Sequence, residues 1–411
     1  MKIFLKLSIL FIATTLFFGC KKNENVVRLT AEDILGNPAY LAMSYGGFRE
    51  NTRDIVPTIE EIKDDMKILN AMGVKIIRTY NTKIKEVPNL LEAISQLNKE
   101  NPNFEMYVML GAWIDCENAW TENPNHNAED VVANTGEIDR AVALTNQYPD
   151  IVKIIAVGNE AMVHWAGSYF VGPDIILKWV NHLQQLKKEE KLPTDLWITS
   201  SDNFASWGGG DKSYHIEDLT KLITAVDFIS LHTYPFHDTH YNSSFWDVPE
   251  SEKEFSEIEK VNSAMLRAKN YAISQYQSTA DFIDSLGIQK PIHIGETGWS
   301  TKSNSLYGIN GSNAADEYKE KLYYNAMREW TNKVGVSCFY FEAFDEKWKD
   351  AQNPLGSENH FGLINLKGEA KYVLWDLVDA GTFKGLLRNN KSIIKSYNGD
   401  ETILLNELFE N

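Results

Sequence analysis

Pro291-Ile292-His293-Ile294-Gly295-Glu296-Thr297-Gly298-Trp299-Ser300 is the stretch from which the rest of the chain is best understood. Its short apolar run, Ile292 to Ile294, lies between a proline and a glycine. That predicts a buried strand ending on a carboxylate, with an aromatic just past the turn. A glutamate at the mouth of a buried strand is costly to desolvate, so a structural or chemical role must hold it there.

Working outward, seven more apolar runs are spaced as strands: Tyr40 to Ser44, Val74 to Ile77, Phe104 to Leu110, Ile151 to Val157, Leu196 to Thr199, Phe228 to Leu231 and Val336 to Phe341. Helical patterns separate them. Thr58 and Glu61 form a capping box ahead of Ile59, Ile62, Met66, Leu69 and Met72, and Gly73 stops that helix. Further helices are expected from a Thr135 cap, from Gly172-Pro173-Asp174, from about Ser256 to Leu286, and from an Asn313 cap. The strands lack polar alternation, as parallel strands covered on both faces do. Eight of them separated by helices predict a (β/α)8 TIM barrel, a single catalytic domain with loop insertions over 29–380. A doubly wound open sheet is the competing reading, but no G-x-G-x-x-G or G-x-x-x-x-G-K-[ST] loop is present. Residues 381–411 form a C-terminal extension of unassigned structure, an appended segment or a final strand pair.

The 411 residues carry 43% hydrophobic content, enough for a large core, and a net charge of −17. That charge argues against nucleic acid or an anionic membrane surface as partner. Cys20, Cys116 and Cys338 make neither a metal spacing nor a disulfide framework, and the last two are expected as packed thiols. Lys2 and Lys6 followed by the apolar Leu7 to Phe18 form a signal segment over 1–20, too short to span a bilayer. It ends Leu16-Phe17-Phe18-Gly19-Cys20 before polar Lys21-Lys22-Asn23, which resembles a bacterial lipoprotein signal with Cys20 lipidated after cleavage. A plain signal peptide is the alternative. Either way the protein is exported through this segment, and residues 21–28 are a linker. The expected location is the outer membrane or cell surface, or alternatively the periplasm, with membrane contact only through the lipid.

In such a barrel the site is built at the C-terminal ends of the strands. Glu160 and Glu296 each directly end an apolar strand, the fourth and the seventh. Paired carboxylates are what glycoside hydrolysis requires, one to protonate the leaving oxygen and one to attack or stabilise the anomeric carbon. The bland reading has each glutamate capping a helix or pairing with an arginine such as Arg78. Of eleven tryptophans, Trp113, Trp120, Trp165, Trp207, Trp246, Trp299 and Trp348 follow strands, where flat faces could stack on pyranose rings. Trp179, Trp197, Trp330 and Trp375 read as core. His237-Asp238-Thr239-His240 is a weak metal pattern, His232 reads as a hydrogen-bonded site residue, and no Gly-x-Ser-x-Gly elbow occurs. No metal or other cofactor is expected.

Several ordered motifs resemble glycoside hydrolase family 17, the retaining β-1,3-glucanases. They are Ser44-Tyr45-Gly46-Gly47-Phe48-Arg49, Ile77-Arg78-Thr79-Tyr80, Val157-Gly158-Asn159-Glu160, Asp227-Phe228-Ile229, Tyr234-Pro235-Phe236, Gly295 to Ser300, Phe341 to Trp348 and Phe361-Gly362-Leu363. Gly47 and Ser300-Thr301 depart from prolines frequent in the family. The resemblance implies Glu160 as general acid/base and Glu296 as nucleophile. It implies Asn159 at the sugar 2-hydroxyl and Tyr234 donating to Glu296. Tyr45, Tyr80, Glu342, Glu346 and Lys347 would line the groove, Trp299 would offer a stacking face, and Trp113 would join them as a substrate contact. The carboxylates would stand ~5–5.5 Å apart, against ~9 Å for inversion. The substrate would be a β-1,3-glucan polysaccharide or oligosaccharide, cut by a monomer. A glucanosyltransferase on the same site and a non-catalytic glycan-binding lipoprotein are the alternatives.

Overall fold

Eight parallel strands pair in sequence order and close on themselves. They are β1 Leu41–Ser44, β2 Val74–Arg78, β3 Tyr107–Ala112, β4 Val152–Asn159, β5 Trp197–Asn203, β6 Ile229–His232, β7 Ile292–Thr297 and β8 Cys338–Tyr340. This computed structural model describes residues 28–308, 311 and 313–410; the signal segment, Cys20 and all but the last linker residue lie outside them. Closure is made by Met43 of β1 opposite Tyr340 of β8. The architecture is the (β/α)8 barrel.

Two cores hold it. Inside the barrel, Ala42, Ile76, Met109, Ile154 and Phe339 pack with Phe228, and the short helix Ala31–Ile34 closes that end with Ala31 and Ile34. The larger core lies between the strands and the surrounding helices. These are α1 Ile59–Ala71, α2 Glu86–Glu100, α3 Val131–Gln147, α4 Pro173–Lys188, α5 Glu217–Ala225, α6 Glu257–Ser285 and α7 Glu317–Val334. Toward the C-terminal ends of the strands the interior turns polar, with Ser201, Ser230 and His232 fully buried. Gly295 makes room for this layer, since a Cβ there would lie 2.1 Å from Ser230 Oγ and 2.7 Å from Ser201 Oγ.

The Thr58–Glu61 capping box is formed as the sequence predicts. Two other helix starts are corrected. Asp130, whose side chain accepts from Ala133 N, caps α3 in place of Thr135. Asp316, accepting from Lys319 N, caps α7 in place of Asn313. Aspartate outranks threonine as an N-cap and Thr135 falls within α3, whereas Asn313 lies three residues ahead of the cap of α7. The segment after residue 381 forms a hairpin, Leu387–Arg388 with Lys391–Ser392, and a helix, Glu401–Glu410. Arg388 donates to Asp65 of α1 at 3.0 Å, and Ser396 to Glu317 of α7 at 2.6 Å. Cys116 and Cys338 are buried free thiols. Among the described residues no helix is long and apolar enough to cross a membrane.

Candidate active site

Glu160 and Glu296 meet at one imidazole. His232, at the end of β6, places Nδ1 3.1 Å from Glu160 Oε1 and 3.7 Å from Glu296 Oε2. The facing oxygens, Glu160 Oε1 and Glu296 Oε2, are therefore no further apart than those two distances laid end to end, a limit that admits the ~5–5.5 Å of a retaining pair. The ring is held from behind, with Nε2 2.7 Å from Ser201 Oγ and that hydroxyl 2.7 Å from Ser230 Oγ.

Glu296 is 5% exposed and tightly gripped. Arg78, at the end of β2, donates Nη1 to Glu296 Oε1 and Nη2 to Asn159 Oδ1. Tyr234 donates its hydroxyl to Glu296 Oε2 at 2.6 Å. Burial alone would push the Glu296 carboxyl upward; the His232 ring, the Arg78 guanidinium and the Tyr234 hydroxyl outweigh it and hold the group well below the usual carboxylate range. Burial and the adjacent Glu296 charge raise Tyr234 well above its ordinary value, so it stays a donor. The pairing with Arg78 that would make Glu296 merely structural is present, and it leaves Glu296 on the wall of an open cavity.

Glu160 is set differently. Gly158 has φ +80° and Glu160 itself φ +45°, in the left-handed region that side-chain-bearing residues rarely adopt. The turn lifts its side chain away from the sheet, leaving it 27% exposed. Its N–H donates to Ser201 O at 3.0 Å. The next turn is pinned by buried Asp202, which accepts from Met162 N at 2.8 Å and Ser206 Oγ at 2.6 Å. Burial pushes the Asp202 carboxyl up to about 6.

A cavity of about 840 Å³ opens over the ends of β8, β1, β2 and β3. Asn159, Glu296, Tyr45, Tyr80, Trp113 and Glu346 line it. Tyr45 is nonetheless 2% exposed, with its hydroxyl directed to Asp65 at 3.1 Å. Three expectations are corrected. Trp299 is fully buried, its indole N–H donating to Ala314 O at 2.7 Å, so it offers no stacking face. Lys347 is exposed and borders a separate hollow beside Arg49 and Arg388, whereas Lys83 and Lys349 line the groove. Glu342 is fully buried behind the wall, accepting from Lys349 Nζ at 2.7 Å. Among the other loop tryptophans, Trp120 and Trp348 line the cavity, whereas Trp207 is fully buried. His237 and His240 are engaged with Tyr307 and the Leu306 carbonyl.

In the sequence Arg78, Asp115 and Asp202 stand at strand ends without an assigned role, His232 reads only as a hydrogen-bonded site residue, and Lys349 carries no signal. Arg78 had a usable signal, a charged residue directly ending an apolar strand, the same signal that exposed both glutamates.

A profile of the BtgE/BtgC glycoside hydrolase domain matches residues 42–362, every barrel strand but the start of β1. The chain belongs to the BtgE/BtgC glycoside hydrolase family. This agrees with the family 17 resemblance carried by its motifs. An endo-laminarinase of Formosa Hel1_33_131 is 63% identical, superimposes with a TM-score of 0.91, and covers 92% of this chain and 97% of its own. A glucan 1,3-beta-glucosidase of Arthroderma benhamiae is 25% identical over 272 residues, 64% of this chain and 70% of that protein. The btgC protein of Aspergillus niger is 23% identical over 318 residues, 75% of this chain, which spans only 39% of the fungal protein.

Proposed function

We propose that this glycoside hydrolase is a retaining endo-β-1,3-glucanase acting on laminarin-like glucans. The observation that carries the reading is the convergence of Glu160 and Glu296 on His232, with Glu296 on the wall of an aromatic-lined cavity. The likeness to an endo-laminarinase supports the choice of substrate. Glu160 protonates the glycosidic oxygen while Glu296, kept ionised, attacks the anomeric carbon to form a glycosyl-enzyme. Water activated by Glu160 then releases the sugar with configuration retained. Asn159, oriented by Arg78, is placed to meet the 2-hydroxyl. Export and lipid anchoring at Cys20 belong to the same proposal, supported by the Lys2 to Cys20 pattern.

Side-by-side digestion of laminarin, lichenan and curdlan tests the substrate. Release of short β-1,3-linked products of retained configuration is expected from laminarin. No cleavage of any β-1,3-glucan would sink the reading, and products longer than a short oligosaccharide substrate would convert it to a transferase.

Tyr234→Phe probes the nucleophile's setting. It removes a 2.6 Å donor to the ionised form of Glu296, so the Glu296 pKa rises. The acid limb of kcat/KM, which reports the free enzyme, should move to higher pH by about one unit. An unmoved limb would mean that Glu296 does not set it.

A further inference from the structure

We propose that Trp113 and Trp120, clamped by Asp115, form a separate sugar subsite on the rim of the groove, holding a glucosyl residue of the substrate chain beyond the cleaved bond. This rests on the glucanase reading and adds a place where the chain is gripped at a distance.

The observations begin with one carboxylate oxygen. Asp115 Oδ1 accepts from both indoles, Trp113 Nε1 at 2.8 Å and Trp120 Nε1 at 3.1 Å. The ring centroids stand 6.2 Å apart and are tilted by 32°. Tyr169, from the segment after β4, backs both rings: it lies 5.0 Å from Trp113 and stacks on Trp120 at 4.9 Å and 20°. Asp115 is itself fixed, its N–H donating to Asn134 Oδ1 at 2.9 Å and its carbonyl accepting from Asn134 Nδ2 at 3.0 Å. Each ring is therefore locked in orientation by a hydrogen bond and by packing.

Trp120 is nevertheless 61% exposed. Burial is open to tryptophans of this chain, since Trp207 and Trp299 are both fully enclosed. Trp120 also has φ +65°, a conformation a bulky residue keeps only under constraint, secured by its N–H donating to Ser168 O at 2.8 Å. A pre-set ring held outward in a strained backbone is built for a partner.

The chemistry of that partner follows. A pyranose offers an apolar C–H face flanked by hydroxyl donors. The indoles supply the flat surface, and Asp115 Oδ2, which takes no hydrogen bond among the described residues, supplies an acceptor beside it. Trp113, Asp115 and Trp120 line the same cavity as Asn159 and Glu296, so the occupant is a continuation of the chain being cut.

The test compares β-1,3-gluco-oligosaccharides of increasing length on wild type, Trp120→Ala and Trp120→Phe. The wild type is expected to gain kcat/KM with length, and Trp120→Ala to lose about fivefold to tenfold of that gain, with Trp120→Phe restoring most of it. Calorimetric binding of the longest oligosaccharide to Glu296→Gln, with and without Trp120→Ala, should show the same ratio. Equal losses at every length, or an unchanged length gain, would overturn the subsite. Failure of the wild type to cleave any of these oligosaccharides would instead remove the glucanase reading beneath it.

Discussion

Glu296→Gln is expected to lower kcat on laminarin on the order of 10⁴-fold. The amide has the shape of the carboxylate but no charge to develop a bond to the anomeric carbon. Its surroundings sharpen the expectation. Arg78 is 1% exposed and loses its anionic partner in the variant, and the Tyr234 hydroxyl exchanges a carboxylate for a neutral acceptor. Breaking a buried pair from one side typically costs about 3–5 kcal/mol, so some loss of thermal stability accompanies the loss of activity. Two readouts keep these effects apart. Binding of a β-1,3-gluco-oligosaccharide should survive in the folded variant. In the wild type, a slow 2-fluoro glycoside should leave its sugar on the peptide carrying Glu296, as seen by mass spectrometry. Activity near wild type in a folded Glu296→Gln, or a label on another peptide, would remove Glu296 from the nucleophile's role.

What could be read from the sequence and what could not divide along a physical line. The strands were legible because a parallel strand covered on both faces is an uninterrupted apolar run. Glu160 and Glu296 were legible because a carboxylate ending such a run has few cheap reasons to be there. Helix α2 was not. Val87, Leu90, Leu91, Ile94 and Leu97 make a buried stripe, but the helix starts without a side-chain cap and carries Pro88 in its first turn. Loop side chains were the other blind spot, because no period relates sequence position to direction outside regular structure. Trp299 turns in beneath its loop while Trp120 turns out. Lys349 faces the groove while Lys347, two residues earlier, faces away from it. Partners such as Arg78 to Glu296, 218 residues apart, are set by barrel closure alone.

Replacing Glu160 should give a loss that depends on the bond being cut. A positioned general acid contributes about 10²–10⁴-fold, and a sugar leaving group draws on all of it. Glu160→Ala is therefore expected to lose about 10³-fold or more on laminarin, but far less of the bond-breaking step on an aryl glycoside whose phenol departs without a proton. The glycosyl-enzyme then accumulates, because the base that activates water is also gone, and a burst of phenol should precede slow turnover. Azide, which requires no base, should restore turnover and give a product of retained configuration. Equal losses on both substrates would remove Glu160 from the acid's role. The backbone adds an independent test. At φ +45° Glu160 pays for its position with strain of about 1 kcal/mol, which glycine does not incur. Glu160→Gly should thus be as inactive on laminarin as the alanine variant yet melt at least as high as the wild type. A residue whose removal relieves the fold while stopping the reaction is held there by the chemistry, and a glycine variant that melts well below the wild type would contradict that assignment.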